Sequence, residues 1–284
     1  MQEMLWFNSF WPILLAMPFL GIGVAGISKR TEPKILKSGK VLRHDAPARV
    51  AHWTHALGVV FLLVTGIVLG TRYTPSFVTT PDNIAHWMNV HFVFAASFLF
   101  GTFYWLGNTI ISRYRFREHL PHKNAISSTL NHYGSLMKIK GTKMPEEEKY
   151  FESERIAFLV ALGGAGIMII SGVIKALAHL VNMPGPFMNV VFWIHDIGAL
   201  LLLLFFLAHI FFGVLLPVAW KSAPSIITGR ISVATAEHEY PKWMEGIRER
   251  EAAQGEAAQG EEAQGAAIKG EPAFGVAING KEKE

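Results

Sequence analysis

The chain contains no cysteine. That absence excludes structural disulfides, thiolate metal sites and iron–sulfur clusters held by this protein. Charge is scarce too: Asp, Glu, Lys and Arg are 17% of the residues against 51% hydrophobic and 12% aromatic, a balance too apolar for an ordinary soluble domain. The net charge of +4 is unremarkable in total and no nucleic-acid partner is expected. The positions of the basic residues carry the information.

Those positions alternate with long uncharged runs. Residues 4–27 form an apolar run with Trp6, Phe7, Phe10, Trp11 and Phe19, ending at Lys29-Arg30. Only Gln2 and Glu3 precede it, whereas a secretory leader carries positive charge there. The run therefore reads as a retained membrane helix, kinked at Pro12 and Pro18, with a cleaved leader as the competing reading. Residues 28–49 are basic, spans are expected at 52–70 and 88–111, and residues 112–155 are basic again. Residues 71–87 form the intervening loop, with Pro81-Asp82-Asn83 as turn markers. Two further spans, 156–177 and 190–217, are joined by the uncharged connection 178–189 and lead to Lys221 and Arg230. Every basic segment falls on one side, so the positive-inside rule gives an external amino terminus and a cytoplasmic carboxyl terminus.

The run 190–217 is long enough to cross a bilayer yet carries His195, Asp196 and His209. An intramembrane ionisable side chain is costly unless bound or paired. Fourteen residues separate the two histidines, which is four helical turns less about 40° and about 21 Å of axial rise, so both leave one face at opposite depths. Ligands that far apart cannot share one metal ion, but each can hold one of two stacked haems. Gly198 and Gly213 lie beside them on that face, where a flat macrocycle needs room. The bland alternative is that both histidines bond to neighbouring helices.

Orientation sets the partners. His52 opens its span at the cytoplasmic surface and pairs in depth with His209, while His91, near the outer end of the next span, pairs with His195. Bis-imidazole ligation leaves no open iron position, which suits electron transfer. His55, one turn after His52, is an alternative ligand. His86 and His179 read as interfacial, and His44, His119, His122, His132 and His238 as solvated or partner-facing. Arg43 and Arg49 are candidates to neutralise haem propionates, or are plain topology signal. Lys175 reads as a propionate partner or a snorkelling lysine. Gly163, Gly164, Gly166, Ser171 and Gly172 read first as a packing surface, with space for a haem edge as the second reading, and Trp53, Trp87, Trp105, Trp193 and Trp220 read mostly as interfacial anchors.

Arg49-Val50-Ala51-His52-Trp53, followed by Val64-Thr65-Gly66, resembles the opening of di-haem cytochrome b subunits, and His195-x13-His209 matches the same family. Within that family the chain resembles the gamma subunit of membrane-bound respiratory formate dehydrogenases. Lys149-Tyr150, Ser171-Gly172-Val173-Ile174, Gly229-Arg230 and Pro241-Lys242-Trp243 extend the likeness over residues 44–247. The resemblance implies an all-α integral membrane protein: a four-helix di-haem bundle over residues 52–220, plus an additional N-terminal transmembrane helix at 1–27. A basic segment at 28–51 and a cytoplasmic extension at 221–250 flank that bundle.

It further implies two haem b, held by His52, His91, His195 and His209 with Arg49 beside the inner one, in the inner membrane of a bacterium. Electrons from an outer iron–sulfur (beta) subunit would reach menaquinone or ubiquinone on the cytoplasmic side. Formate oxidation would belong to a separate molybdenum- or tungsten-containing (alpha) subunit, so no catalytic residue is expected here. A cytochrome b subunit of a thiosulfate or polysulfide reductase, or of a hydrogenase, is the runner-up, with quinol oxidation as the reversed flow. Phe151 departs from the formate pattern, which has a polar Asn near the quinone. Glu152 or Glu154 is then a candidate proton relay, or an ordinary carboxylate at a helix start. The EAAQG repeats of residues 251–284 lack apolar periodicity and read as a disordered tail.

Overall fold

The computed structural model describes residues 5–70, 76–111 and 113–268. The chain is a multi-pass, all-α membrane protein with five apolar helices long enough to span a bilayer. They are α1 (Trp6–Ile27), α2 (Ala46–Gly70), α3 (Pro81–Ile111), α6 (Glu152–Leu177) and α7 (Gly185–Ile210), the last prolonged by a π-helical turn at Phe211–Leu215. Shorter elements fill the connections on one face: strands β1 (Ile35–Leu36) and β2 (Lys40–Leu42), then helices α4 (Arg113–Glu118) and α5 (Ala125–Leu136). After α7 follow α8 (Ser225–Thr228), strand β3 (Arg230–Ser232), α9 (Val233–Glu239) and α10 (Pro241–Ile268). We call this the basic face.

Several spans start earlier than hydropathy alone suggests, because polar caps begin them. Asp45 Oδ1 accepts the N–H of Ala48 at 3.1 Å, so α2 starts six residues before His52. Thr80 Oγ1 accepts the N–H of Asn83 at 3.3 Å, and Pro81-Asp82-Asn83, read as a turn, is the first turn of α3. Glu154 accepts the N–H of Phe151 at 3.0 Å at the head of α6. Pro217 has no N–H to continue α7, and the chain leaves the span through the π-turn.

Glycines set the helix spacing. A Cβ on Gly58 would lie 2.9 Å from the backbone of Phe98, and one on Gly101 2.7 Å from the amide nitrogen of His55, so α2 and α3 touch backbone to backbone. The additional helix α1 is part of this layer. A Cβ on Gly21 would meet the carbonyl of Phe100 at 2.7 Å, and one on Gly107 would meet Ala25 at 2.8 Å. On the other side of the bundle Gly164 of α6 accepts Leu202, and Gly198 of α7 fits against Ile167 and Met168. Gly198 thus serves helix packing, not room for a macrocycle, whereas a Cβ on Gly213 would meet nothing within 4 Å. The layer α1–α3–α2 meets the layer α6–α7 chiefly along α2 and α7.

On the basic face, segments far apart in sequence form one body. β2 pairs antiparallel with both β1 and β3, with Val41 opposite Ile35 and Ile231. Behind the sheet Val41, Ile231, Ala236, Tyr240, Trp243, Met244 and Ile247 form a closed apolar core. Gly229 has φ +78°, and its carbonyl accepts the N–H groups of Arg43 at 2.8 Å and His44 at 3.1 Å. The closing Gly-Arg and Pro-Lys-Trp signatures are therefore the turn and the core of this cap. Residues 251–268, expected as disordered tail, continue α10 as helix. Ala, Glu and Gln between the glycines are strong helix formers. The remainder of that expected tail, 269–284, lies outside the described residues.

Candidate functional site

The registers of the helices place the histidines in two levels. His52 lies six residues after the start of α2 at Ala46, and His209 lies six before the end of the last span at Leu215, both measured from the basic face. His91 and His195 each lie ten residues inside α3 and α7, counted from Pro81 and Gly185 at the opposite end. Helices of equal rise put each pair at a common depth.

At the basic-face level the imidazoles of His52 and His209 are 6.3 Å apart between ring centroids, with planes at 48°. Two imidazoles bound on opposite faces of one metal through bonds of about 2 Å have centroids about 6 Å apart, so this spacing fits a shared axial position. Trp53 stands edge-on to His52 at 5.4 Å, and Phe205 stacks on His209 at 6.1 Å. His55 is directed elsewhere: its Nδ1 is 2.9 Å from Thr102 Oγ1 and its ring packs on Phe98 of α3 at 4.8 Å.

At the far level each histidine is clamped by a hydroxyl. Thr65 Oγ1 donates to the carbonyl of Phe61 at 2.7 Å and lies 2.7 Å from His91 Nδ1. Ser171 Oγ donates to the carbonyl of Ile167 at 2.7 Å and lies 2.9 Å from His195 Nδ1. A hydroxyl that has given its one proton to a carbonyl accepts the next bond, so both imidazoles carry their proton on Nδ1. Nε2 is then the free lone pair on each, the state an axial ligand needs. His91 and His195 are close enough to interact electrostatically. Gly172 flanks His195, where a Cβ would approach Cε1 to 3.5 Å. Lys175 Nζ lies over the ring of Phe192 at 5.0 Å and interacts with Asp196 and His195.

The two clamping hydroxyls belong to residues noted for a motif and for packing, Thr65-Gly66 and Ser171-Gly172. A hydroxyl residue followed by glycine inside a span is the signal that marks them. Among the described residues no group of three or more His, Asp or Glu side chains converges on one point as a metal-ion cage requires. The donor set is therefore two pairs of imidazoles, which fits a planar macrocycle between each pair.

Arg49 sits one turn before His52. Its Nη1 donates to the carbonyl of Ile227 at 2.7 Å, while its buried Nε has no hydrogen-bond partner among the described residues. Arg43 is engaged within the cap: it donates to the carbonyl of Lys149 at 2.9 Å, pairs with Glu154 at 3.5 Å and covers the ring of Tyr240 at 4.4 Å. Burial pushes the Tyr240 phenol up to about 12.

The polar residues around α6's start are more ordered than solvated side chains. Glu152 is buried, accepts from His122 and lies 3.7 Å from Arg155, and Lys149 pairs with Glu118 at 3.0 Å. His44 and His132 are buried, not solvated, because the cap closes over them. Burial, then the charges of Arg43 and Lys149, hold the His44 imidazole well below its ordinary value. His238 is exposed as expected, and so are His86 and His179 at the far end of the bundle. Phe151 stacks on Tyr240 at 4.9 Å and packs on His132 at 4.6 Å.

A family model described as prokaryotic cytochrome b561 matches residues 43–229, which takes in all four clamped or facing histidines and the Gly229 turn. No curated protein matches the chain.

Proposed function

The chain belongs to the prokaryotic cytochrome b561 family, membrane electron-transfer proteins that carry b-type haem, and from that premise we propose that it holds two haems. His52 and His209 would hold one near the basic face, and His91 and His195 would hold the other at the far level. The observation that carries this reading is the 6.3 Å approach of the His52 and His209 rings, matched by the two hydroxyl clamps that free Nε2 on His91 and His195. Haems held there by paired imidazoles would supply reversible one-electron transfer. The chain's part is to orient the imidazoles and to exclude water from them. The unpartnered Nε of Arg49 is the donor proposed for a propionate beside His52.

With the basic face cytoplasmic, the subunit conducts electrons between an iron–sulfur partner on the opposite side and a quinone, menaquinone or ubiquinone, near the His52/His209 level. A respiratory formate dehydrogenase, with its molybdenum- or tungsten-containing subunit outside, is the complex this wiring suits best. One observation favours a second reading, a thiosulfate or polysulfide reductase or a hydrogenase. Phe151, where the formate pattern has a polar Asn, is stacked into the apolar core of the cap and offers no donor to a quinone.

The test is a pyridine haemochrome assay with reduced-minus-oxidised spectra on the purified protein and His→Ala variants at the four positions. Two b-type haems per chain are expected, with His52→Ala and His209→Ala losing one and His91→Ala and His195→Ala the other. A folded protein free of haem would overturn the reading.

A further inference from the structure

Helix α5 has one face that the fold does not use. Ala125, Ser128 and His132 form its buried side, where His132 packs on Phe151 at 4.6 Å, and Gly134 is covered by Thr142 of the turn that follows. On the opposite side Ile126, Leu130 and Met137 are 73%, 67% and 68% exposed, at spacings that put them and Tyr133 in one stripe. Tyr133 fixes the depth of that stripe. Its ring lies 5.6 Å from Phe212 in the π-turn at the end of the last span, and Phe212 is itself exposed toward lipid. The apolar stripe therefore continues the lipid-facing surface of α7 past the end of the span.

The nearest carboxylates are paired elsewhere, Glu118 with Lys149, Glu146 with Lys242, Glu147 with His132 and Glu148 with Arg155, and the charge left beside the stripe is basic. Residues 119–144 contain Lys123, Lys138, Lys140 and Lys143 and no Asp or Glu. None of these lysines forms an ion pair among the described residues. Lys138 stands in a position that favours glycine. It closes α5 with φ +57°, its N–H bonding to the carbonyl of Ser135 at 3.0 Å and that of Ile139 to Gly134 at 2.9 Å, the six-residue cap in which glycine is usual. Lys138 directly follows Met137, the last residue of the apolar stripe, so its charge belongs to the rim of that stripe.

We infer that α5 and the turn after it form an interfacial anchor for anionic phospholipid, with Ile126, Leu130 and Met137 in the acyl boundary of the leaflet on the basic face and Lys138, Lys140 and Lys143 on the headgroup phosphates. An amphipathic helix with apolar residues on one side and lysines at its rim binds such a surface through both terms. The anchor would hold the cap, and the His52/His209 level beneath it, at a fixed height in the membrane.

The absence of cysteine makes the test direct. Leu130→Cys and, as the control on another side of the helix, Asn131→Cys each give the full chain one site for a nitroxide spin label. The labelled proteins are placed in nanodiscs of phosphatidylcholine alone or with phosphatidylglycerol. In the anionic discs the label at 130 is expected to collide with oxygen and be shielded from a water-soluble nickel chelate, while the label at 131 stays open to the chelate. Lys138→Glu, Lys140→Glu and Lys143→Glu together are expected to abolish the shielding at 130. A label at 130 as open to the chelate as that at 131 in anionic discs overturns the inference and leaves the face to a protein partner. Equal shielding in both lipids, unchanged by the three Glu substitutions, overturns the assignment of the headgroups.

Discussion

Thr65 and His91 share a hydrogen bond of 2.7 Å whose direction is set elsewhere, by the carbonyl of Phe61 that takes the threonine's proton. The imidazole can only donate to that oxygen. Ser171 treats His195 in the same way from a different helix. Both hydroxyls bond back to the carbonyl four residues earlier, so the helix itself orients them.

Loss of this clamp should be read at the ligand, not at the fold. Thr65→Val keeps the shape and removes the acceptor, so haem affinity at the far level is expected to fall by roughly 10–100-fold, the usual effect of removing the partner that orients a ligating histidine. Thr65→Ser should retain it. Haem content per chain after dilution into apo-myoglobin measures the loss, and unchanged retention in Thr65→Val would show that the clamp does not orient a ligand.

The contact between α2 and α3 has no slack. A methyl group on Gly101 would stand 2.7 Å from the backbone nitrogen of His55, whereas one on Gly163 meets nothing within 4 Å. Gly101→Ala is expected to separate the helices and to lower stability by about 1–3 kcal/mol, with Gly163→Ala near neutral. Thermal unfolding of the two variants side by side decides it.

The spans and the two histidine levels were legible from sequence because both follow from simple periods. Hydropathy locates a helix, and a separation of four turns fixes a face. The parts that were not legible depend on contacts between distant segments. Nothing around Val41 announces that it pairs with Ile231, and His44 and His132 look solvated until the cap of Tyr240, Trp243 and Ile247 closes over their neighbourhood. Gly198 was misread for a related reason. Its face is set by helix α6, whose Met168 sulfur would lie 3.0 Å from a Cβ there, and a single-helix projection carries no information about the neighbour.

His44 should make the cap sensitive to acid. Its folded value lies well below 6.5, from burial first and then from the neighbouring charges of Arg43 and Lys149, so the unfolded chain binds its proton more readily. Stability from this group is complete above about pH 6.5 and is lost as pH falls below it, toward the depressed folded value, by up to about 1.4 kcal/mol per unit. Melting of the purified protein at pH 7.5, 6.5 and 5.5 is expected to show the decline, and His44→Phe to flatten it. An equally steep decline in His44→Phe would assign the acid sensitivity to other groups.

Arg155 joins the connection before α6 to the helix itself. Its side chain is 2% exposed and donates to the carbonyl of Leu120 at 2.9 Å and to Glu148 at 2.5 Å, with Glu152 at 3.7 Å. Arg155→Met would leave buried Glu152 with His122 as its only remaining partner among the described residues, and the cost is expected below the roughly 3–5 kcal/mol of a fully orphaned buried charge. Arg155→Lys should recover only part of this, because an ammonium cannot reach a carbonyl and two carboxylates in the fork geometry of a guanidinium. The loss is expected in the cap and not at the far level: proteolytic cleavage should speed up within residues 118–152 while the haem proposed for His91 and His195 is retained. Simultaneous loss of both haems would instead mean that the connection supports the whole bundle.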